Sequence, residues 1–217
     1  MKQHDFVLID RSGSMSSLWE EALTSVNSYA KKLADQNVDT EITVAFFDGS
    51  NGLDFEVARQ CRPETFRKLT NEDAMPRGMT PLSDAVGKIV AMAEAGTYDK
   101  VAIIIMTDGQ ENASREYTVQ TAKQALDRCR KRDWAVTFLG ANFDNVSQAA
   151  SYGVNLRGTV CSTAQNMSDT FATLGTKRGF YASASAGAGS MDFTPDEQLE
   201  AKTDKNTTIT PPVKKKK

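Results

Sequence analysis

Histidine and cysteine are scarce in this chain of 217 residues. The only histidine is His4, and the three cysteines, Cys61, Cys129 and Cys161, are widely spaced and form no CxxC pair. This inventory excludes a zinc site built from several histidines and any cluster that needs four cysteine thiolates. A Ser-His-Asp or Cys-His enzyme would have to use His4. Because His4 precedes the first predicted strand, we expect it to be an exposed terminal residue, remote from the opposite edge of the sheet.

Long hydrophobic runs are also missing. The N-terminal run over 6–9 has four apolar residues, whereas a signal peptide needs about 7–15. No segment approaches the ~20 apolar residues of a membrane span. An odd number of dispersed cysteines is typical of reduced thiols rather than of a disulfide framework. These absences predict a cytoplasmic protein with no membrane contact.

A strong charge of one sign is absent as well. The 26 basic and 28 acidic residues leave a formal net charge of −2, so the total charge indicates no specific nucleic acid partner and no anionic membrane. The C-terminal run 214–217 is all lysine, and without it the rest of the chain would carry a charge of −6. Hydrophobic residues make up 40% of the chain, which suffices for one ordinary core.

Hydrophobic periodicity predicts strands that alternate with helices. Apolar or alternating runs predict strands over 5–10, 40–47, 53–58, 101–106, 134–139 and 155–161. Apolar stripes at helical spacing predict helices over 19–33, 82–93, 119–129, 144–152 and 167–174. Thr80 is expected to cap the second of these, with Pro81 as its first residue. This order predicts an α/β protein with a doubly wound, mostly parallel sheet and helices on both faces.

Composition changes at residue 182. The segment 182–190 contains only alanine, serine and glycine, and we expect it to be a flexible linker after a folded domain over 1–181. Residues 194–197 have the form of a capping box, which predicts a short helix through about residue 201. The remainder of 191–217 is expected to be a disordered, lysine-rich tail.

Side chains that carry oxygen are predicted to gather at one edge of the sheet. They follow the first strand, follow the strand over 101–106, and enter the helix over 82–93; the residues are Asp10, Ser12, Ser14, Thr80 and Asp108. Ligands of open α/β sheets bind at this carboxyl edge. Hard oxygen ligands without histidine or cysteine suit Mg²⁺, Mn²⁺ or Ca²⁺ and do not suit Zn²⁺.

The segments DRSGS, GMTPL and MTDGQEN, which carry these residues, resemble the three motif segments of von Willebrand factor A (VWA) domains, in the same order. In that family they form the metal-ion-dependent adhesion site (MIDAS). The resemblance covers roughly residues 4–180. It implies a Rossmann-like sheet of order 3-2-1-4-5-6 whose third strand is antiparallel. It also implies that the three hydroxyls coordinate a cation directly or through water, while the two aspartates act partly through water.

The resemblance further implies a non-enzymatic adaptor or assembly factor that binds Mg²⁺ or Mn²⁺, with Ca²⁺ as a third choice. A partner protein would complete the cation's coordination with an Asp or Glu side chain. Some intracellular relatives work with AAA+ ATPases, and such an ATPase would be a separate protein here, because this chain has no P-loop. The flanking Arg11, Met15 and Glu111 are expected to form the rim of the partner site. Alone, the protein is expected to be a monomer.

Two other functions stay open at the level of sequence. A Mg²⁺-dependent phosphohydrolase would use Asp10 as phosphoryl acceptor. Against this, Ser12 stands where the haloacid-dehalogenase-like pattern has its second aspartate, and no lysine stands out beside the site. The chain could alternatively be a structural or assembly protein of a virus particle, which differs from the adaptor only in its partner.

Overall fold

A computed structural model describes residues 1–49, 52–140 and 144–203 of the chain. Its centre is a six-stranded sheet of order β3-β2-β1-β4-β5-β6. The strands are β1 (Gln3–Asp10), β2 (Glu41–Asp48), β3 (Asp54–Cys61), β4 (Lys100–Met106), β5 (Ala135–Gly140) and β6 (Thr159–Cys161). β3 pairs antiparallel with β2, and the other neighbouring strands are parallel. The predicted fold class and strand order are confirmed.

Helices cover both faces of the sheet. They are α1 (Trp19–Asp35), α2 (Leu82–Ala95), α3 (Val119–Lys131), α4 (Asp144–Ser151), α5 (Ala164–Tyr181) and α6 (Pro195–Lys202). One core joins α1, α5 and α6 to the sheet, and a second core joins α2, α3 and α4 to its other face. In β1, Val7 belongs to the first core and Leu8 to the second, because successive strand side chains point to opposite faces. No helix in the described part of the chain is long and apolar enough to cross a bilayer.

The structure differs from the predictions at the start of α2 and before β6. Helix α2 begins at Leu82 with Pro81 in the cap position, so Thr80 caps nothing and stays in the preceding loop. The strand predicted over 155–161 is a short 3-10 helix, Leu156–Gly158, followed by the three-residue β6. The side chain of Asn155 accepts the Gly158 amide hydrogen, and this local turn replaces the first half of the predicted strand.

His4 is buried, and the expectation of an exposed terminal residue is wrong. It is the second residue of β1, which lies between β2 and β4 in the middle of the sheet. Its ring stacks on Phe6 with centroids 4.2 Å apart, and its Nε2 lies 2.8 Å from Thr43 Oγ1. Burial lowers the pKa of His4 to about 4.

The chain after α5 packs back onto the domain. The ammonium group of Lys100 donates hydrogen bonds to the carbonyl oxygen of Tyr181, at the end of α5, and to those of Ser183 and Ala186 in the segment predicted as a flexible linker. A 3-10 helix, Ala188–Met191, follows, and Met191 is buried in the first core. Helix α6 has the predicted capping box. The division into domain, linker and tail stays a prediction, and 204–217 lie outside the described residues.

Candidate metal centre

The two aspartates of the predicted site follow neighbouring strands. Asp10 is the last residue of β1, and Asp108 comes just after the end of β4. The two strands are parallel, with Ile9 opposite Met106, so both carboxylates lie at the carboxyl edge of the sheet. From this point the sheet extends to β2 on one side and to β5 on the other. Such a switch in strand order leaves a crevice in which ligands bind in α/β sheets.

The loop after β1 folds back over its own aspartate. The Ser12 amide donates a hydrogen bond to Asp10 Oδ1 at 2.7 Å, which is a typical Asx turn. A short 3-10 helix, Gly13–Ser17, starts directly afterwards. Because of this tight path, the hydroxyl oxygens of Ser12 and Ser14 lie 3.1 Å apart. Ser14 in turn donates to Asp108 Oδ1 at 2.8 Å, which links the loops after β1 and β4.

Oxygens from two loops converge on the space above Gly109, which belongs to a third loop, the one after β4. A Cβ atom placed on this glycine would lie 2.7 Å from Thr80 Oγ1, 3.1 Å from Ser14 Oγ and 3.3 Å from Asp10 Oδ2. Only a residue without a side chain leaves this space open. The structure therefore brings all five predicted site residues into one cluster.

The site is acidic and partly buried: Asp10, Ser12 and Thr80 are buried, whereas Asp108 is partly exposed and Ser14 is exposed. Burial raises the pKa of Asp10 to about 6, against hydrogen bonds from Thr107 and Ser12, and Asp108 nearby raises it further. Burial also raises the pKa of Asp108, against its hydrogen bond from Ser14. Among the ion pairs of the described residues, none includes Asp10 or Asp108. Two clustered carboxylates without a cationic side chain fit a bound cation.

The cluster contains only two carboxylates. Within residues 1–49, 52–140 and 144–203, no group of three or more His, Cys, Asp or Glu side chains could hold a metal ion. A cation here would therefore depend on the hydroxyls of Ser12, Ser14 and Thr80 for its remaining protein ligands. Mg²⁺ is commonly held by one or two carboxylates with several waters. The donor set thus fits a hard divalent cation.

The predicted rim residues point elsewhere. Arg11 is buried and donates to Asp48 Oδ2 at 2.6 Å and to Glu56 Oε2 at 2.8 Å, which draws its charge toward β2 and β3. Met15 is buried in the first core. Glu111 accepts hydrogen bonds from three backbone amides, so its carboxylate organises the loop. The rim prediction is therefore wrong for Arg11 and Met15, and the Glu111 carboxylate binds the first turn of α2 and its own loop.

A second layer of side chains, which the sequence did not reveal, holds the cluster. Thr107 donates to Asp10 Oδ2 at 2.6 Å. Asn112 Oδ1 accepts the Thr80 amide hydrogen at 2.8 Å. Gln148 of α4 donates to the Gly109 carbonyl at 2.9 Å. Thr107 and Asn112 lie on either side of Asp108 within MTDGQEN, so the motif could have indicated them as supporting residues. Gln148 lies in α4, and no sequence feature indicated its contact with the site.

Neither a protein-family model nor a curated protein matches this chain. Solved structures do match its fold. The PilB minor pilin from Streptococcus sanguinis has a TM-score of 0.58 at 12% identity, over 86% of this chain and 63% of that one. The pilus adhesin SpaC from Lactobacillus rhamnosus GG has a TM-score of 0.64 at 12% identity, over 82% of this chain and 31% of that one.

The von Willebrand factor domain of the type V pili tip protein Mfa5 from Porphyromonas gingivalis is matched over nearly its whole length. Its TM-score is 0.63 at 9% identity, over 85% of this chain and 97% of that one. This chain spans less than two thirds of PilB and of SpaC. At these identities the similarity concerns the fold alone, and the fold is VWA-like.

Proposed function

We propose that this chain, with its VWA-like fold, is a non-enzymatic protein-binding module that uses a divalent cation, Mg²⁺ or Mn²⁺. Its ligands would be Asp10, Ser12, Ser14, Thr80 and Asp108. The observation that carries the proposal is that oxygens of Asp10, Ser14 and Thr80 converge above Gly109, while Ser14 also contacts Asp108. A bound cation would supply a Lewis-acidic contact for an Asp or Glu side chain of a partner protein.

The arrangement gives little support to an enzyme. Asp10 is fully buried, and both of its oxygens accept hydrogen bonds, which opposes a role as phosphoryl acceptor. A serine nucleophile would need a general base. The only histidine, His4, lies toward the other end of β1, about 20 Å from Asp10 at ~3.3 Å per strand residue. A binding role therefore agrees better with the geometry.

The cellular setting is part of the proposal. We place the protein in the cytoplasm because none of the three cysteines, all within the described residues, forms a disulfide. The named structural neighbours are pilus proteins, so the comparisons do not favour this location.

The class of partner is a separate part of the proposal. An adaptor for an AAA+ ATPase and an assembly protein of a virus particle differ only in the protein that they bind. Capture from the native source with and without EDTA distinguishes them, since only one partner class should be retained in a cation-dependent manner.

Calorimetric titration with Mg²⁺ and Mn²⁺ tests the cation site. Asp10→Ala and Asp108→Ala should each abolish binding, because each removes one of only two carboxylates. Asp39→Ala is the matched control, since Asp39 is an exposed aspartate just before β2, at the opposite edge of the sheet. This variant should bind like the wild type. Undiminished binding in the double variant of Asp10 and Asp108 would refute the assignment.

A second assay tests the absence of catalysis. The protein with Mg²⁺ should not turn over a generic phosphatase substrate such as p-nitrophenyl phosphate. Turnover that disappears in Asp10→Asn would contradict the binding-module proposal and support the phosphohydrolase instead.

A further inference from the structure

Thr80 and Asn112 form a reciprocal pair that joins two loops of the candidate site. The backbone N–H of Thr80 donates a hydrogen bond to the side-chain oxygen Oδ1 of Asn112 at 2.8 Å. The backbone N–H of Asn112 donates in return to the Thr80 carbonyl oxygen at 3.2 Å. Both backbone groups of Thr80 are thus used by one residue of the loop after β4. The pair aligns the loop that enters α2 with the loop that carries Asp108.

The surroundings restrict both members of the pair. Immediately before Thr80, Met79 exchanges two backbone hydrogen bonds with Gly49, at 2.7 and 3.1 Å. Immediately before Asn112, Glu111 donates its amide hydrogen to Gln148 and accepts hydrogen bonds from the amides that follow. Thr80 is therefore held from both sides, and Asn112 approaches it from a loop that is itself anchored.

The position of the Thr80 backbone determines where its hydroxyl lies. Threonine is branched at Cβ and has few χ1 rotamers, so a shift of its backbone displaces Oγ1 directly. This oxygen is the one nearest to the convergence point, 2.7 Å from a Cβ placed on Gly109. The Asn112 carboxamide itself bonds to the Thr80 backbone and not to any of the five predicted ligand side chains.

We propose that Asn112 is a positioning residue of the cation site, which sets the Thr80 hydroxyl at the distance that a cation needs. The inference rests on the proposed function, because it assumes that the cluster binds a cation. Removal of a residue that orients a metal ligand by hydrogen bonding, without touching the metal itself, lowers metal affinity by about 10- to 100-fold. Asn112 is expected to act in this range.

The test is a titration of the full chain with Mn²⁺ in which electron paramagnetic resonance measures the fraction of bound Mn²⁺. Asn112→Ala should bind Mn²⁺ at least about ten-fold more weakly, because the Thr80 amide loses its acceptor. Asn112→Asp keeps an acceptor oxygen at the same place and should bind no more weakly than the wild type. Asn71→Ala is the control, since Asn71 is exposed and donates a long hydrogen bond, 3.4 Å, to Glu20 at the surface.

Amide hydrogen exchange of Thr80 without cation gives a second readout. Exchange should accelerate in Asn112→Ala and stay slow in Asn112→Asp. If Asn112→Ala does not fold, Asn112→Gln, which moves the carboxamide by one methylene, should show the same loss of affinity. Wild-type affinity in the Ala variant, or equal weakness of the Ala and Asp variants, would overturn the inference alone. Absence of Mn²⁺ binding in the wild type would overturn it together with the proposed function.

Discussion

The residue that best shows the electrostatics of the site is Asp10. Its carboxylate is fully buried, is held by Thr107 and the Ser12 amide, and lies near a second carboxylate, that of Asp108. The hydrogen bonds favour the charged form, whereas burial and the neighbouring charge disfavour it more. Without a bound cation, the charge of Asp10 is therefore a net cost to folding at neutral pH.

Asp10→Asn should raise the stability of the cation-free protein. The folded pKa of about 6 lies above the ordinary value of 3.8, so the contribution of Asp10 to stability is fully present below pH 3.8 and is lost as the pH rises toward 6. The neutral amide of Asp10→Asn avoids this loss, so the free energy of unfolding should rise by about 1–3 kcal/mol at pH 7. Urea unfolding of both proteins in EDTA measures the difference.

The same variant should respond differently to Mg²⁺. The wild type should gain stability at millimolar Mg²⁺, because a ligand that binds only the folded state stabilises it by mass action. Asp10→Asn should gain little. A variant that is less stable than the wild type in EDTA, or that gains as much from Mg²⁺, would contradict this view of Asp10.

His4 should make stability depend on pH. Its folded pKa of about 4 lies below the ordinary value of 6.5, so its contribution is fully present above pH 6.5 and is lost as the pH falls toward 4. The loss should reach at most ~1.4 kcal/mol per pH unit. His4→Gln, which can keep a hydrogen bond to Thr43, should lack this component.

Urea unfolding of both proteins between pH 4 and 7.5 is the measurement for His4. The difference in the free energy of unfolding between wild type and variant is the informative quantity, since carboxylates that titrate in both proteins cancel. Parallel curves would show that His4 takes up a proton in the folded state as readily as in the unfolded one.

At the scale of elements, a buried ion pair joins α5 to the sheet. Arg178 of α5 is fully buried and donates from Nε to Asp5 Oδ1 at 2.6 Å. Asp5 of β1 also accepts a hydrogen bond from Tyr29 of α1 at 2.9 Å. Arg178 Nη1 donates to Gln3 Oε1 at 2.9 Å. Three elements of the first core therefore share one polar contact, which holds α5 in a single register on β1.

Removal of Arg178 should destabilise the fold strongly. Arg178→Met leaves the Asp5 carboxylate buried without its partner, which typically costs about 3–5 kcal/mol. Addition of Asp5→Asn should recover part of the loss, because the remaining buried group is then neutral. Arg128→Met is the control: this exposed arginine pairs with Glu94 at the surface, and its loss should cost at most about 1 kcal/mol.

Chemical denaturation of the wild type, Arg178→Met, Asp5→Asn and the double variant forms a double-variant cycle, with Arg128→Met as its control. Equal losses for Arg178→Met alone and in combination with Asp5→Asn would show that the ion pair is not the source of the effect.

Helix α5 also shows how far periodicity reaches. Its apolar spacing predicted a helix over 167–174 only, whereas the helix spans Ala164–Tyr181. Its buried face includes Asn166, Thr170 and Arg178, which interrupt the apolar pattern. These polar residues are buried because each finds a partner in another element or turn. Such partners are distant in sequence, so the pattern within the helix did not reveal them.

At the scale of the whole molecule, strand order creates the candidate site. Asp10 and Asp108 are far apart in the chain but follow strands that are neighbours in the sheet. The Thr80 loop reaches the same edge and is tied to the DRSGS loop by hydrogen bonds from Gly13 to Gly78 and from Arg77 to Arg11. The right-handed crossovers of a parallel sheet make this meeting of loops a consequence of topology.

The sequence by itself determined the fold class and, through a family resemblance, the strand order, and it predicted five site residues that the structure brings into one cluster. These features depend on local periodicity and on short motifs, which neighbouring residues encode. It also indicated the capping box of α6, which is a local interaction.

Only the tertiary structure decided the direction of Arg11, the burial of His4, and the roles of Gly109 and Asn112. The physical reason is that burial and hydrogen-bond partners depend on which distant segments pack together. Arg11 lies beside Asp10 in sequence, yet its charge belongs to acids on β2 and β3. The sequence thus predicted the oxygens, and packing decided that they lie together and that no ion pair of the described residues includes Asp10 or Asp108.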